Sequence, residues 1–309
     1  MSKLKNRYYG IMGVAVDMAN WNADFSGYPK QNMLNEFYGS DKAFKYAVRD
    51  LMKRNGEKVL FVRNKKEDAM PLSLAESYQK CFGEEVKATT PAKDLLKNLF
   101  NAVDVEMFGA AFAFEKNNHS IHGAIQFGHG INIDPNTSII DNEILSPFQN
   151  SNKEAAKKET TGHQTYLDNA MFTYPFSVNP KNYDIYNETG IEDFEGLTEE
   201  GMEKFIKYSN KAVTALNSCA KMGCSNAFSL YIKLKEDSEA YMPPLHRYVK
   251  YERRIDSSKH LDLTKLNELL TRFSNDIESV DLYVNELELE VELGGLDNLP
   301  GFSKHDILV

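Results

Sequence analysis

Residues 8–16 read YYGIMGVAV, and this stretch decides the fold. Small and apolar residues follow one another without a helical period, the pattern of a buried strand. Asp17 ends the run, and residues 17–40, DMANWNADFSGYPKQNMLNEFYGS, are too rich in Gly, Asn, Pro and aromatics for helix or sheet. That loop exceeds the roughly 12–15 residues beyond which an irregular connection is usually functional or disordered. Next, Ser40 is placed to cap a helix from Asp41 to about Asn55, Gly56 stops it, and KVLFVR (residues 58–63) reads as a second strand.

Further out, residues 72–103 read as two helical pieces, the second opening at Thr90 with Pro91 in its first position. MFGAAFAF and SIHGAIQFG flank the polar tip EKNNH and predict a hairpin. Residues 131–168 are polar, without a sustained apolar stripe, and read as a protrusion or mobile loop. MFTYPFSV is a strand, Thr198–Met222 a long amphipathic helix ended by Gly223, and NAFSLYIKL a half-buried strand turning Phe228, Leu230, Ile232 and Leu234 inward. A helix near 263–278 and the alternating LELEVEL strand complete the pattern. Strand–helix–strand twice over is the split βαβ plan of ferredoxin-like and RNA-recognition (RRM-like) folds, so the fold class is α+β with insertions.

The chain has 309 residues, 42% hydrophobic and 26% charged, the composition of a folded globular protein. Lys3, Lys5 and Arg7 precede GIMGVAV as in a signal peptide, but Asp17 comes too early for one. No run approaches a membrane span, and three cysteines without a CxxC pair suit a reducing compartment; the expected location is the cytoplasm, with no membrane partner. The net charge is −9, yet residues 1–66 hold 13 Lys/Arg against 6 Asp/Glu. One end of an acidic chain is therefore basic, which leaves room for a polyanionic partner.

The helix beginning GSDKAFKYAVR concentrates that charge. At roughly 100° per residue, Lys42, Lys45, Arg49 and Lys53 share an arc of about 80° opposite Phe44, Ala47, Val48 and Leu51. A solvated helix face is the ordinary explanation of such a row. Asp41 and Asp50 read as pointing away from it, which leaves the row open to a phosphate backbone. Trp21, Phe25 and Tyr28, set among Asn20, Asn22 and Asn32, suit stacked bases, or else fold the loop over the core. FGAAFAF matches the RNP1 strand of RNA-recognition motifs poorly, and Phe108, Phe112 and Phe114 read as core. His119 and His122 fall on opposite faces of a strand and, with His129, carry no metal site; Cys219 and Cys224 read as packing residues. Walker, nucleophile-elbow and G-x-G-x-x-G motifs are absent. Asp24 is the one carboxylate placed to hold a metal ion or direct a hydroxyl beside bound RNA, its plain alternative being an Asx turn.

Taken in series, RYYGIMGVAVDMANWNADFSGYP, YGSDKAFKYAVR, SIHGAIQFGHG, ILSPFQNSNK, YPFSVNP and AVTALNSCAKMGC resemble the CRISPR-associated backbone subunit of type I Cascade, most closely its subtype I-B form, over nearly the whole chain. The resemblance implies one modified RRM-like palm spanning residues 1–309, with a helical finger insertion at 67–106 and a protruding thumb at 139–169. It implies copies polymerised in a helical filament along the spacer of a CRISPR RNA, held with other Cascade subunits, presenting the guide to a complementary target DNA strand in antiviral defence. The RNA contacts it implies are Ser40, Lys42, Lys45 and Arg49 on the first helix, Asn20 and Asn22 in the loop, Gln126 at the thumb root, and Lys153, Lys157 and Lys158 in the thumb. No catalytic residue, metal or cofactor is implied, and cleavage belongs to a recruited partner. Related type III backbone subunits cut RNA with a loop aspartate, so a metal-dependent ribonuclease using Asp24 is the alternative.

Overall fold

The computed structural model describes residues 2–149, 159–191, 194–254 and 256–309. After β1 (Tyr8–Ala19) come a short β2 (Tyr38–Gly39) and α1 (Asp41–Arg54). Three helices follow, α2 (Leu74–Phe82), α3 (Ala92–Phe100) and α4 (Val103–Phe108). Next are a hairpin of β3 (Gly109–Phe114) and β4 (Asn117–His122), short strands β5 (Ile125–Phe127) and β6 (Gly130–Asn132), and a long hairpin of β7 (Ile139–Gln149) and β8 (Glu159–Val178). The second half holds α5 (Glu199–Ser209), β9 (Cys224–Leu234), β10 (Lys250–Arg253), β11 (Lys259–Asp262), α6 (Thr264–Thr271), β12 (Ile277–Val284), β13 (Leu289–Glu292) and β14 (Phe302–Asp306).

The result is a mixed α and β molecule built on a nine-stranded sheet, ordered β14-β12-β9-β1-β8-β6-β2 along its main path. β1 lies antiparallel between β8 and β9. Its uninterrupted apolar run follows from burial on both faces. Met12, Val14 and Val16 join a core with Phe44, Val48 and Met52 of α1 and Phe205 of α5. Ile11 and Ala15 join a second core with Phe228, Leu230, Leu261 and Leu266 on the opposite side. Gly10 is dictated by crowding there: a Cβ at that position would stand 2.1 Å from the Leu230 carbonyl oxygen.

Several expectations shift. KVLFVR is not a strand; the amides of Leu60 and Phe61 donate instead to the buried Asp104 carboxylate, at 2.9 and 3.0 Å. The strand that follows α1 into the sheet is supplied far later by β5 and β6, both antiparallel to β8. The helix from Thr198 stops at Ser209, because the Asn226 side chain accepts from the Val213 amide at 2.9 Å and pulls the chain out of helical register. β9 is buried on both faces rather than one, with Tyr231 packed on the helix side. The 263–278 helix is shorter, Thr264–Thr271, and gives way to β12, while LELEVEL supplies β13 of a separate three-stranded sheet. Residues 139–149 and 159–167 form a paired ribbon rather than an irregular loop.

α4 also anchors α5. Glu106 Oε1 accepts from the Thr198 amide (3.0 Å) and hydroxyl (2.7 Å), and Thr198 caps α5 by accepting from the Gly201 amide. Burial pushes the Glu106 carboxyl above its ordinary range, and the two Thr198 bonds only partly offset this. The folded chain therefore keeps a proton that the unfolded chain releases. This contribution is complete below the ordinary carboxylate range and is lost as pH rises through the raised folded value. Thermal midpoints measured between about pH 4 and 7 should thus include a component that declines with pH and disappears in Glu106→Gln; an unchanged profile in that variant contradicts the assignment.

Candidate nucleic-acid interface

α1 is capped as its sequence requires: Ser40 Oγ accepts from the Ala43 amide at 3.3 Å. The amide of Ser40 itself donates to Asn22 Oδ1 at 2.8 Å, so the loop and the helix start are pinned together. The row of cations is less open than helical periodicity predicts. Lys45 is buried, with Nζ 3.3 Å from Asp41 Oδ2, and burial pulls its pKa down against the opposing pull of Asp41. Arg49 Nε donates to Asp104 Oδ2 at 3.1 Å, with its guanidinium over the Phe108 ring. Lys53 donates to Asn64 Oδ1 at 2.7 Å, and Arg54 is paired with Asp50. The expectation that Asp41 points away from the row is therefore corrected: Asp41 pairs with Lys45, and Asp104, from α4, pairs with Arg49. Lys42 alone of the four is exposed and unpaired among the described residues.

The preceding loop is ordered by two turns of the same design. Asp24 Oδ1 accepts from the amides of Ser26 (2.8 Å) and Tyr28 (3.0 Å), and Asn32 Oδ1 from those of Leu34 (2.9 Å) and Glu36 (3.0 Å). Asp24 is thus the Asx turn of its alternative explanation. Trp21 is only 1% exposed, and its Nε1 donates to the Tyr174 hydroxyl at 2.5 Å, so it belongs to the core and not to a stacking platform. Gly39 makes room for that pair, since a Cβ there would lie 1.8 Å from the Tyr174 hydroxyl. Phe25 and Met33, one at each turn, project fully into solvent. Asn20 is buried, its Nδ2 bridging the carbonyls of Gly27 (3.0 Å) and Thr165 (3.1 Å) and so tying the loop to β8.

A sequence model of the family described as CRISPR-associated protein Cas7 matches residues 6–269. The chain belongs to the Cas7 family. Two solved chains show the same fold. One, from a "CRISPR RNA-guided surveillance complex, pre-nicking", is 13% identical with a TM-score of 0.52, covering 97% of each chain. The other, from a "CRISPR RNA-guided surveillance complex", is 14% identical with a TM-score of 0.50, covering 92% of this chain and 94% of that one. No curated protein matches.

The remaining candidate residues of this Cas7 chain are dispersed. Gln126 is exposed on β5, its Nε2 donating to the Gly123 carbonyl at 2.8 Å. Lys153, Lys157 and Lys158 lie outside the described residues. Among the described residues no three His, Cys, Asp or Glu side chains gather as metal ligands, and no helix is long and apolar enough to cross a membrane. One cation escaped notice in the sequence: Lys221, in the turn between α5 and β9. Its Nζ donates to the Asn20 carbonyl and lies 5.9 Å from the centroid of the Trp21 ring. The only hint was its place inside AVTALNSCAKMGC, where nothing in periodicity separates it from a surface lysine.

Proposed function

We propose that this Cas7 chain is the guide-RNA-binding backbone subunit of a type I Cascade complex of subtype I-B character, and that it is not itself an enzyme. The family match over residues 6–269 carries this reading. Copies polymerise along the spacer of a CRISPR RNA in the cytoplasm, beside other Cascade subunits, and leave the bases free to pair with a target DNA strand in antiviral defence. The order β9-β1-β8-β6, with α1 and α5 on one face, supports a modified RRM-like palm. On it α2 to α4 are the finger, and the β7–β8 ribbon is the thumb.

Within that reading Lys42 and Gln126 meet RNA directly, and Asn20, Asn22 and Ser40 hold the loop in place beside it. Lys45 and Arg49 reach phosphate only by exchanging their carboxylate partners. Lys153, Lys157 and Lys158 are thumb contacts by resemblance. The ribonuclease alternative would have to work through Asp24 Oδ2, since Oδ1 accepts from two amides of its own turn.

The test is expression with a CRISPR array, followed by purification and ultraviolet absorbance. A 260-to-280 nm ratio raised by bound nucleic acid that falls after ribonuclease treatment is the expected result. Protein that purifies free of RNA, and retains none when RNA is added, counts against the proposal. Shortening of the bound RNA in Mg²⁺ that stops in Asp24→Asn would favour the nuclease instead.

A further inference from the structure

Two neighbouring cavities, of about 480 and 790 Å³, open between α1 and the turn that leads into β9. They share Arg54, Leu216, Asn217 and Lys221 as lining; the smaller is the upper part of the groove and the larger the lower. The upper cavity is walled by Trp21, Asn22, Tyr46 and Ser218. Its one carboxylate, Asp50, is already paired with Arg54. Asp17 and Glu288 line only the lower cavity. The thumb reaches the same place, because Gln164 Nε2 of β8 lies 3.7 Å from Cys219 Sγ and Thr165 holds Asn20.

Lys221 sits where these elements converge. It is half-buried, pairs with no carboxylate among the described residues, and its ammonium has a backbone carbonyl as partner. A cation partly withdrawn from water without a counter-ion is costly. An anion entering the groove relieves that cost and gains from the low local dielectric. Tyr46, exposed on the same wall, offers a ring face to a base or ribose.

Resting on the RNA-binding reading, we infer that the upper groove is a phosphodiester site for single-stranded RNA in which Lys221, not the paired Lys45 and Arg49, supplies the charge in the resting protein. The strand passes between α1 and the base of the thumb. Cys219 lies beside this path and is exposed, whereas Cys224 is buried with its thiol pushed up to about 12 and Cys81 is half-buried at about 11. Alkylation of the folded protein therefore reports on one thiol at the site.

The test combines RNA titration with alkylation on the intact chain. One phosphate contact contributes about 0.7 to the slope of log K against log salt, so Lys221→Gln should flatten the slope by that amount and weaken binding about fivefold near 0.1 M salt. Lys221→Arg should restore both. A saturating unrelated-sequence RNA should slow alkylation of Cys219 in the wild-type protein, a readout that needs no variant to fold. Wild-type affinity and slope in a folded Lys221→Gln protein, with Cys219 alkylated equally fast when RNA is bound, overturn the site while leaving RNA binding intact. A wild-type protein that binds no RNA brings down the functional reading and this site together.

Discussion

Asp104→Ala should cost about 3–5 kcal/mol of folding stability, the range for removing one partner of a buried ion pair. Asp104 is fully buried and accepts from three donors, the amides of Leu60 and Phe61 and Arg49 Nε. Its loss leaves the buried Leu60 amide, the part-buried Phe61 amide and a guanidinium without their acceptor at the joint between α1, the 58–63 segment and α4. Asp104→Asn keeps the shape but replaces one accepting oxygen by a donor that faces other donors, so it should recover only part of the loss. Lys42→Ala, an exposed change on the same helix, should stay within about 0.5 kcal/mol. Denaturant midpoints compare the three directly, and an Asp104→Ala protein as stable as wild type removes the structural role given to Arg49.

Trp21→Ala should be comparably damaging, about 3–5 kcal/mol, as for large aromatics deleted from a packed interior. The cost combines a lost ring, a lost bond to Tyr174 and the cavity left beside Gly39. Phe25→Ala, four residues on, should hardly change stability, because its ring is wholly in solvent. Once folding is accounted for, Phe25→Ala should act on RNA or neighbour binding through its exposed ring, whereas Trp21→Ala should act only through the fold and the cavity wall that its buried ring supports. Equal stability losses at the two positions contradict the division of this loop into an inward anchor and an outward tip.

What was legible in the sequence follows from how local each determinant is. β1 was readable because burial on both faces writes an unbroken apolar run. α1 was readable because Ser40 and the phase of Phe44, Ala47 and Val48 agree, although Leu51, read on the same side, is only half-buried. The β7–β8 ribbon was not, since Ile139, Ile140, Ile144 and Leu145 of β7 come in adjacent pairs among polar residues and leave no alternation to detect. KVLFVR imitates a strand in composition, but its amides go to a carboxylate more than forty residues away. The α5 boundary likewise depends on Asn226, beyond any local stop signal.

The site divides in the same way. Helical spacing gave the right arc for Lys42, Lys45, Arg49 and Lys53, while their charge state depended on partners. Asp41 lies one turn before Lys45, within reach of the sequence. Asp104 lies 55 residues beyond Arg49, and only the fold brings it there. Lys221 is distinguished solely by what surrounds it, which no spacing encodes.

The measurement that bears most directly on the central claim is the affinity of the purified protein for two unrelated single-stranded RNAs of equal length, across a salt series. A protein that holds guide RNA by its backbone binds both alike and loses affinity steeply as salt rises, by about 0.7 in log K per log unit of salt for each phosphate held. Binding that is indifferent to salt, confined to one sequence, or absent contradicts it.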